Sequence, residues 1–189
     1  MGTTMTWIEI LVLAIGLSMD AFAVSICSTS TGRSQGPWAR VRLAVAFGIF
    51  QAGMPLLGWL LGAQLAGWFR EIDHWIAFGL LAFIGARMIR SGLSSTCSMT
   101  QDPSRGMTLL MLAIATSIDA FGVGLSLAML EVAILVPIVT FGVVTGLLSW
   151  LGVALGCRLG TRAGPRMEII GGVLLLLIGA RILWEHLLA

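Results

Sequence analysis

The chain has 189 residues, of which 58% are hydrophobic and 11% charged, with a mean hydropathy of +0.99 and a formal charge of +2. That balance excludes an ordinary soluble domain, and so small a charge gives no support to nucleic-acid binding. It fits a chain whose main partner is a lipid bilayer.

Six apolar runs follow one another at roughly 8–27, 43–66, 74–90, 107–129, 132–156 and 168–187. Each is near the ~20 residues that a ~30 Å hydrocarbon layer requires of a helix. Lipid offers no backbone partners and the runs do not alternate as barrel strands would, so the fold class is all-α, with six transmembrane helices. The first run lacks the basic flank and small-residue cleavage site of a secretory signal, so it is expected to stay as helix one. It carries Ser18-Met19-Asp20-Ala21-Phe22, and helix two carries Gln51, Pro55, Gly58 and Gly62. Helix three begins at His74 and ends past Arg87, and helix four holds Thr116-Ser117-Ile118-Asp119-Ala120. Helix five carries Thr145, Gly152 and Gly156, and helix six runs through Arg181 to His186. The connections are short, so residues 1–189 are expected to form one integral membrane domain.

All eleven basic residues are arginine. Arg33, Arg40 and Arg42, then Arg87, Arg90 and Arg105, then Arg158, Arg162 and Arg166 gather around the connections after helices one, three and five, which are therefore expected in the cytoplasm. The other side holds Arg70 and Arg181 with Glu9, Glu71, Asp73, Glu131 and Glu185, and both termini are expected there. Cys27, Cys97 and Cys157 fall near the cytoplasmic face, where thiols are expected to stay reduced and no disulfide framework is foreseen.

The two halves, approximately 7–92 and 106–188, match each other. Ser18-Met19-Asp20-Ala21-Phe22 meets Ser117-Ile118-Asp119-Ala120-Phe121. With a short adjustment in the first connection, Phe47-Gly48 meets Phe141-Gly142, Gly58 and Gly62 meet Gly152 and Gly156, and Ile84-Gly85-Ala86-Arg87 meets Ile178-Gly179-Ala180-Arg181. Three helices are an odd number, so the second half enters the membrane from the opposite side. The halves form an inverted repeat, the construction from which alternating access follows in many secondary transporters.

A carboxylate at the centre of a membrane helix costs roughly 2.5–3.5 kcal/mol to insert, so two at matching positions point to a site. Small residues share the aspartates' helix faces, among them Gly16 and Ala23 beside Asp20 and Gly122 and Ser126 beside Asp119, so helices one and four are expected to cross near the midplane. Paired carboxylates with neutral oxygen donors suit a hard divalent cation. The expected metal ligands are Asp20 and Asp119, with Gln51 and its repeat partner Thr145 as oxygen donors and Ser18, Thr116 and Ser117 nearby. Pro55 is a second possible contributor, through a backbone carbonyl freed by interrupting helix two. Met19 points off the aspartate's face. Arg87 and Arg181 have two readings, snorkelling to the headgroups or pairing with a carboxylate. His74 and His186 are expected at a solvated outer rim. No acyl-, phosphoryl- or hydride-transfer constellation is present, so no catalytic residue and no cofactor is expected.

Gly16-Leu17-Ser18-Met19-Asp20-Ala21-Phe22-Ala23, Phe47-Gly48-Ile49-Phe50-Gln51 with Met54-Pro55-Leu56-Leu57-Gly58-Trp59, His74-Trp75-Ile76-Ala77-Phe78 and Ala115-Thr116-Ser117-Ile118-Asp119-Ala120 resemble the bacterial manganese efflux pump family, MntP, over essentially the whole chain. The resemblance implies a multi-pass exporter of Mn²⁺ in the plasma (inner) membrane, within the broader LysE-like transporter group, with Asp20 and Asp119 as transport carboxylates and Mn²⁺ as substrate. Where some members carry glutamate this chain has Gln51, one negative charge fewer. The expected cycle is alternating access coupled to inward proton movement, and the oligomeric state is left open. That group also includes thiol–disulfide carriers and amino-acid exporters. A thiol–disulfide carrier needs a cysteine in each half, but Cys27 matches Ser126. An amino-acid exporter needs a cationic group such as Arg87 or Arg181 for the substrate carboxylate. A non-transporting membrane scaffold would not need the midplane carboxylates.

Overall fold

The computed structural model describes residues 5–30, 36–65, 73–94, 102–159 and 163–188. Every regular element among them is an α-helix: α1 (Trp7–Leu17), α2 (Met19–Ser30), α3 (Pro37–Leu65), α4 (Asp73–Ser94), α5 (Gly106–Met129), α6 (Leu135–Leu159) and α7 (Ala163–Leu188). Trp7–Thr29, Pro37–Gln64, Gly106–Met129 and Leu135–Gly156 are long and apolar enough to cross a membrane. The protein is therefore a multi-pass, all-helical membrane protein. Helix α4 has arginines at 87 and 90, and α7 holds a shorter apolar stretch, Ile169–Arg181.

Each of the six expected runs falls mainly on helix among the described residues, though 132–134 precede α6, and the first run is divided. Thr6 caps α1, accepting from the Glu9 amide at 3.4 Å while Glu9 Oε2 accepts from the Thr6 amide at 2.7 Å, a reciprocal capping box. At the other end Ser18 closes α1 and Met19 opens α2. The continuous helix one expected from the apolar run is thus two half-helices. By contrast α3 runs unbroken through Pro55, contrary to the interruption considered there; proline only withholds the N–H that the Gln51 carbonyl would otherwise accept.

The surface is as apolar as the interior. Trp7, Ile8, Phe83, Leu135, Leu177 and Trp184 are all more than half exposed, which in water would be a liability and in lipid is ordinary solvation. Phe47 and Phe141 are fully buried. Close backbone approach does the rest of the packing, since hydrophobic exclusion contributes little between helices in lipid. Helix α3 packs on α5 and α6, α2 on α6 and α7, and α4 on α7. A Cβ at Gly48 would lie 2.9 Å from the Gly142 carbonyl, and one at Gly142 would lie 3.0 Å from the Gly48 carbonyl, so α3 and α6 cross backbone to backbone. At Gly58 a Cβ would strike the Phe121 carbonyl of α5, and at Gly152 it would lie 3.0 Å from the Phe22 carbonyl of α2.

The α5–α6 turn is tightly built. Glu131 is left-handed at φ 55°, its amide donates to Ala128 O at 3.0 Å, and the Val132 amide donates to Leu127 O at 3.0 Å. That is a Schellman closure with a glutamate in the position glycine usually takes. Trp59 of α3 donates its indole N–H to the Val132 carbonyl at 3.0 Å, fastening the turn to α3.

Cys27 is disulfide-bonded, against the expectation of reduced thiols. Helices α2 and α6 touch beside it, since a Cβ at Gly156 of α6 would lie 2.6 Å from the Ile26 carbonyl. Arg33, Arg70, Glu71, Cys97 and Arg162, and the side chains of Asp73, His74, Cys157, Arg158, Glu185 and His186, lie outside the described residues.

Candidate metal centre

Asp20 stands in the first turn of α2, immediately after the break. Its Oδ1 accepts from the Ala21 amide at 2.7 Å, and Asp119 does the same with the Ala120 amide at 2.8 Å. The two carboxyl groups come close enough to act on each other side chain to side chain, and the charge of Arg87 on α4 reaches Asp119. Asp119 is 4% exposed, and its Oδ2 is buried without a hydrogen-bond partner. An orphaned carboxylate oxygen in an apolar interior is expensive, and a proton, a water or a cation would each relieve it.

Around the pair, Gln51 is fully buried and uses both ends of its amide. Nε2 donates to the Leu17 carbonyl at 3.2 Å, and Oε1 accepts from Ser117 Oγ at 3.0 Å. Leu17 is the last residue of α1, so Gln51 takes up a backbone group at the break while the Ala21 amide beyond it is taken by Asp20. That is how a membrane helix tolerates interruption without leaving polar backbone in lipid. On the other side Ser18 Oγ lies 2.6 Å from Thr145 Oγ1 of α6 and donates to the Ala14 carbonyl at 2.6 Å, which leaves Thr145 to donate to Ser18.

The arrangement brings together Asp20 with Asp119, Gln51 with Ser117, and Ser18 with Thr145. Thr116 is placed differently: its hydroxyl donates to the Leu112 carbonyl of its own helix at 2.9 Å. Met19 turns toward α7, where a Cβ at Gly171 would come within 2.5 Å of its own Cβ. Arg181 pairs with Glu9, Nη2 to Oε1 2.8 Å, the second of its two expected readings. The Leu17 carbonyl was not foreseen as a participant.

Among the described residues no group of three or more His, Cys, Asp and Glu side chains converges. The centre has two carboxylates, with the charge of Arg87 felt at Asp119, and the hydroxyls of Ser18, Ser117 and Thr145 and the Gln51 amide link the helices that carry them. It suits a divalent cation that accepts oxygen ligands and has nothing for a thiophilic one.

A family described as "Putative manganese efflux pump", Mntp, matches residues 37–183. A protein of Syntrophotalea carbinolica named "Putative manganese efflux pump MntP" is 45% identical over 187 residues, covering 97% of this chain and 99% of that protein. Proteins of the same name from Nitratidesulfovibrio vulgaris and Methanosarcina barkeri are 48% and 47% identical, covering 96% and 97% of this chain and 92% and 99% of their own lengths. No solved structure matches the chain.

Proposed function

Because this chain belongs to the manganese efflux pump family MntP, we propose that it exports Mn²⁺ from the cytoplasm through a midplane site at Asp20 and Asp119. The observation that carries the proposal is the pair of facing aspartates with Asp119 Oδ2 buried and unpartnered. Mn²⁺ is the substrate. The carboxylates neutralise it, and Gln51, Ser117, Ser18 and Thr145 hold the segments that carry them and offer neutral oxygens; the Thr116 hydroxyl is turned to its own helix.

Six crossings and an inverted repeat are part of the same proposal, with both termini extracytoplasmic in the plasma (inner) membrane. Several contacts support the repeat. Ser18 meets Thr145 where Ser117 meets Gln51, and these pairs exchange under the internal match. Gly58 rests on Phe121 where Gly152 rests on Phe22, and Gly48 and Gly142 face each other, as residues beside a two-fold axis do. Rocking of one half against the other exposes the site alternately to either side. When Mn²⁺ has left, two protons on the carboxylates spare the returning site two unbalanced charges in lipid, which is why the cycle runs as an antiport. No phosphate-binding loop is present to couple it to ATP.

Everted vesicles loaded by a panel of divalent cations test this. The expected result is Mn²⁺ uptake that collapses when the pH gradient is dissipated. Uptake indifferent to the gradient would remove the antiport step, and absence of Mn²⁺ uptake would remove the function. The charge of Arg87 beside Asp119 is the one feature an amino-acid exporter would also use, so lysine and arginine belong in the panel; their movement in place of Mn²⁺ would favour that second function.

A further inference from the structure

Helix α1 is a unit in itself. A capping box starts it, Ser18 ends it, and the backbone carbonyl at its last residue is held by Gln51 rather than by a continuing helix alone. Near that end it lies close to α7: a Cβ at Gly16 would be 3.4 Å from Leu174 Cβ and 3.6 Å from the Gly171 carbonyl. Toward its start the two helices part, leaving a crevice of about 220 Å³ lined by Met5, Val12, Leu174, Leu177 and Ile178. Glu9 and Arg181 close the edge of that crevice at 2.8 Å. Glu9 uses one oxygen for the cap and the other for the ion pair. The helix is thus tight at its break, loose at its far end, and joined there to α7 by the Glu9–Arg181 ion pair.

We infer that Glu9 and Arg181 are positioning residues for transport, a latch that holds the half-helix α1 against α7 and must open for α1 to swing about the Ser18 break. The inference rests on the transport function proposed above. Asp20 lies just across the break, so a swing of α1 moves the Leu17 carbonyl that Gln51 holds and with it the start of the Asp20-bearing helix. The match between halves makes the latch one-sided. The step that maps Asp20 to Asp119 maps Glu9 to Thr108, and Arg181 maps to Arg87, so the second half has a threonine where the first has the latch carboxylate. A latch on the extracytoplasmic seam alone biases the resting protein toward the cytoplasm, the side from which an exporter loads.

Glu9→Gln isolates the latch, because glutamine serves as well as glutamate in a capping box and only the charge is lost. Nitroxide labels at Ile8→Cys and Trp184→Cys, both lipid-exposed, in a chain with the three native cysteines replaced, report the α1–α7 distance by double electron–electron resonance. The expected result is a longer-distance population enriched about two- to five-fold in Glu9→Gln and in Arg181→Gln, as release of one partly exposed ion pair allows. The reversed pair Glu9→Arg with Arg181→Glu should return it toward the wild-type distribution. Thr6→Val, which removes the cap and keeps the charges, should leave it unchanged. Distance distributions identical in wild type and both single variants would overturn the latch, as would a Thr6→Val shift equal to that of Glu9→Gln. The readout needs no metal flux, so a protein that failed to move Mn²⁺ would sink the proposed function and still decide the latch.

Discussion

Gln51 is the side chain on which the two aspartate-bearing segments depend, since one end of its amide holds the Leu17 carbonyl and the other accepts from Ser117. Gln51→Leu fills nearly the same volume and leaves both partners unsatisfied in the apolar interior. The expected cost is about 1–3 kcal/mol for each stranded group, read as a lowered thermal midpoint of the purified protein in detergent. An unchanged midpoint would mean those partners find others. That Asp20, Asp119, Gln51, Ser18, Ser117 and Thr145 stand at matching positions was legible in the sequence, because polar residues in a membrane run stand out and the two halves place polar residues alike. Their direct pairing was not legible. Ser18 and Thr145 are far apart in the chain, and only the tertiary fold shows that hydroxyl meets hydroxyl. Thr116, which shares the aspartate's face by spacing, turns its proton to its own helix instead.

Among the elements, the segment Met54-Pro55-Leu56-Leu57-Gly58-Trp59 has a packing explanation. A Cβ at Gly124 would strike Pro55 and one at Gly58 would strike Phe121, so α3 and α5 lie in backbone contact, and Trp59 ties α3 to the turn beyond α5. Trp59→Phe removes that hydrogen bond while keeping an aromatic ring, and should lower stability by about 0.5–1.5 kcal/mol. Glu131→Gly should act in the opposite direction by up to about 1 kcal/mol, since φ 55° strains a side-chain-bearing residue and suits glycine. Thermal denaturation of both variants beside wild type checks the pair of signs. Helix positions were readable from hydropathy because lipid demands continuous apolar runs of set length. The break at Ser18 was not, because no proline or glycine stands there and the interruption is stabilised from α3 through Gln51. Proline, the residue that does advertise a break, sits in a helix that continues past it. The disulfide at Cys27 was not legible either, since pairing depends on which helices the fold brings together.

For the molecule as a whole, two carboxylates of like charge in a low-dielectric interior repel each other unless a cation or protons lie between them. That single electrostatic constraint joins the paired aspartates, the buried and unpartnered Asp119 Oδ2 and the proposed exchange of Mn²⁺ for protons. The most direct measurement is Mn²⁺ flux in liposomes bearing purified wild type, Asp20→Asn or Asp119→Asn, each first shown to elute as one folded species. Asparagine preserves size and leaves one carboxylate to hold a divalent cation, so flux should fall at least tenfold in either variant, a loss of about 1.4 kcal/mol or more. Flux equal to wild type in both folded variants would contradict the site and with it the account of how this chain moves a metal.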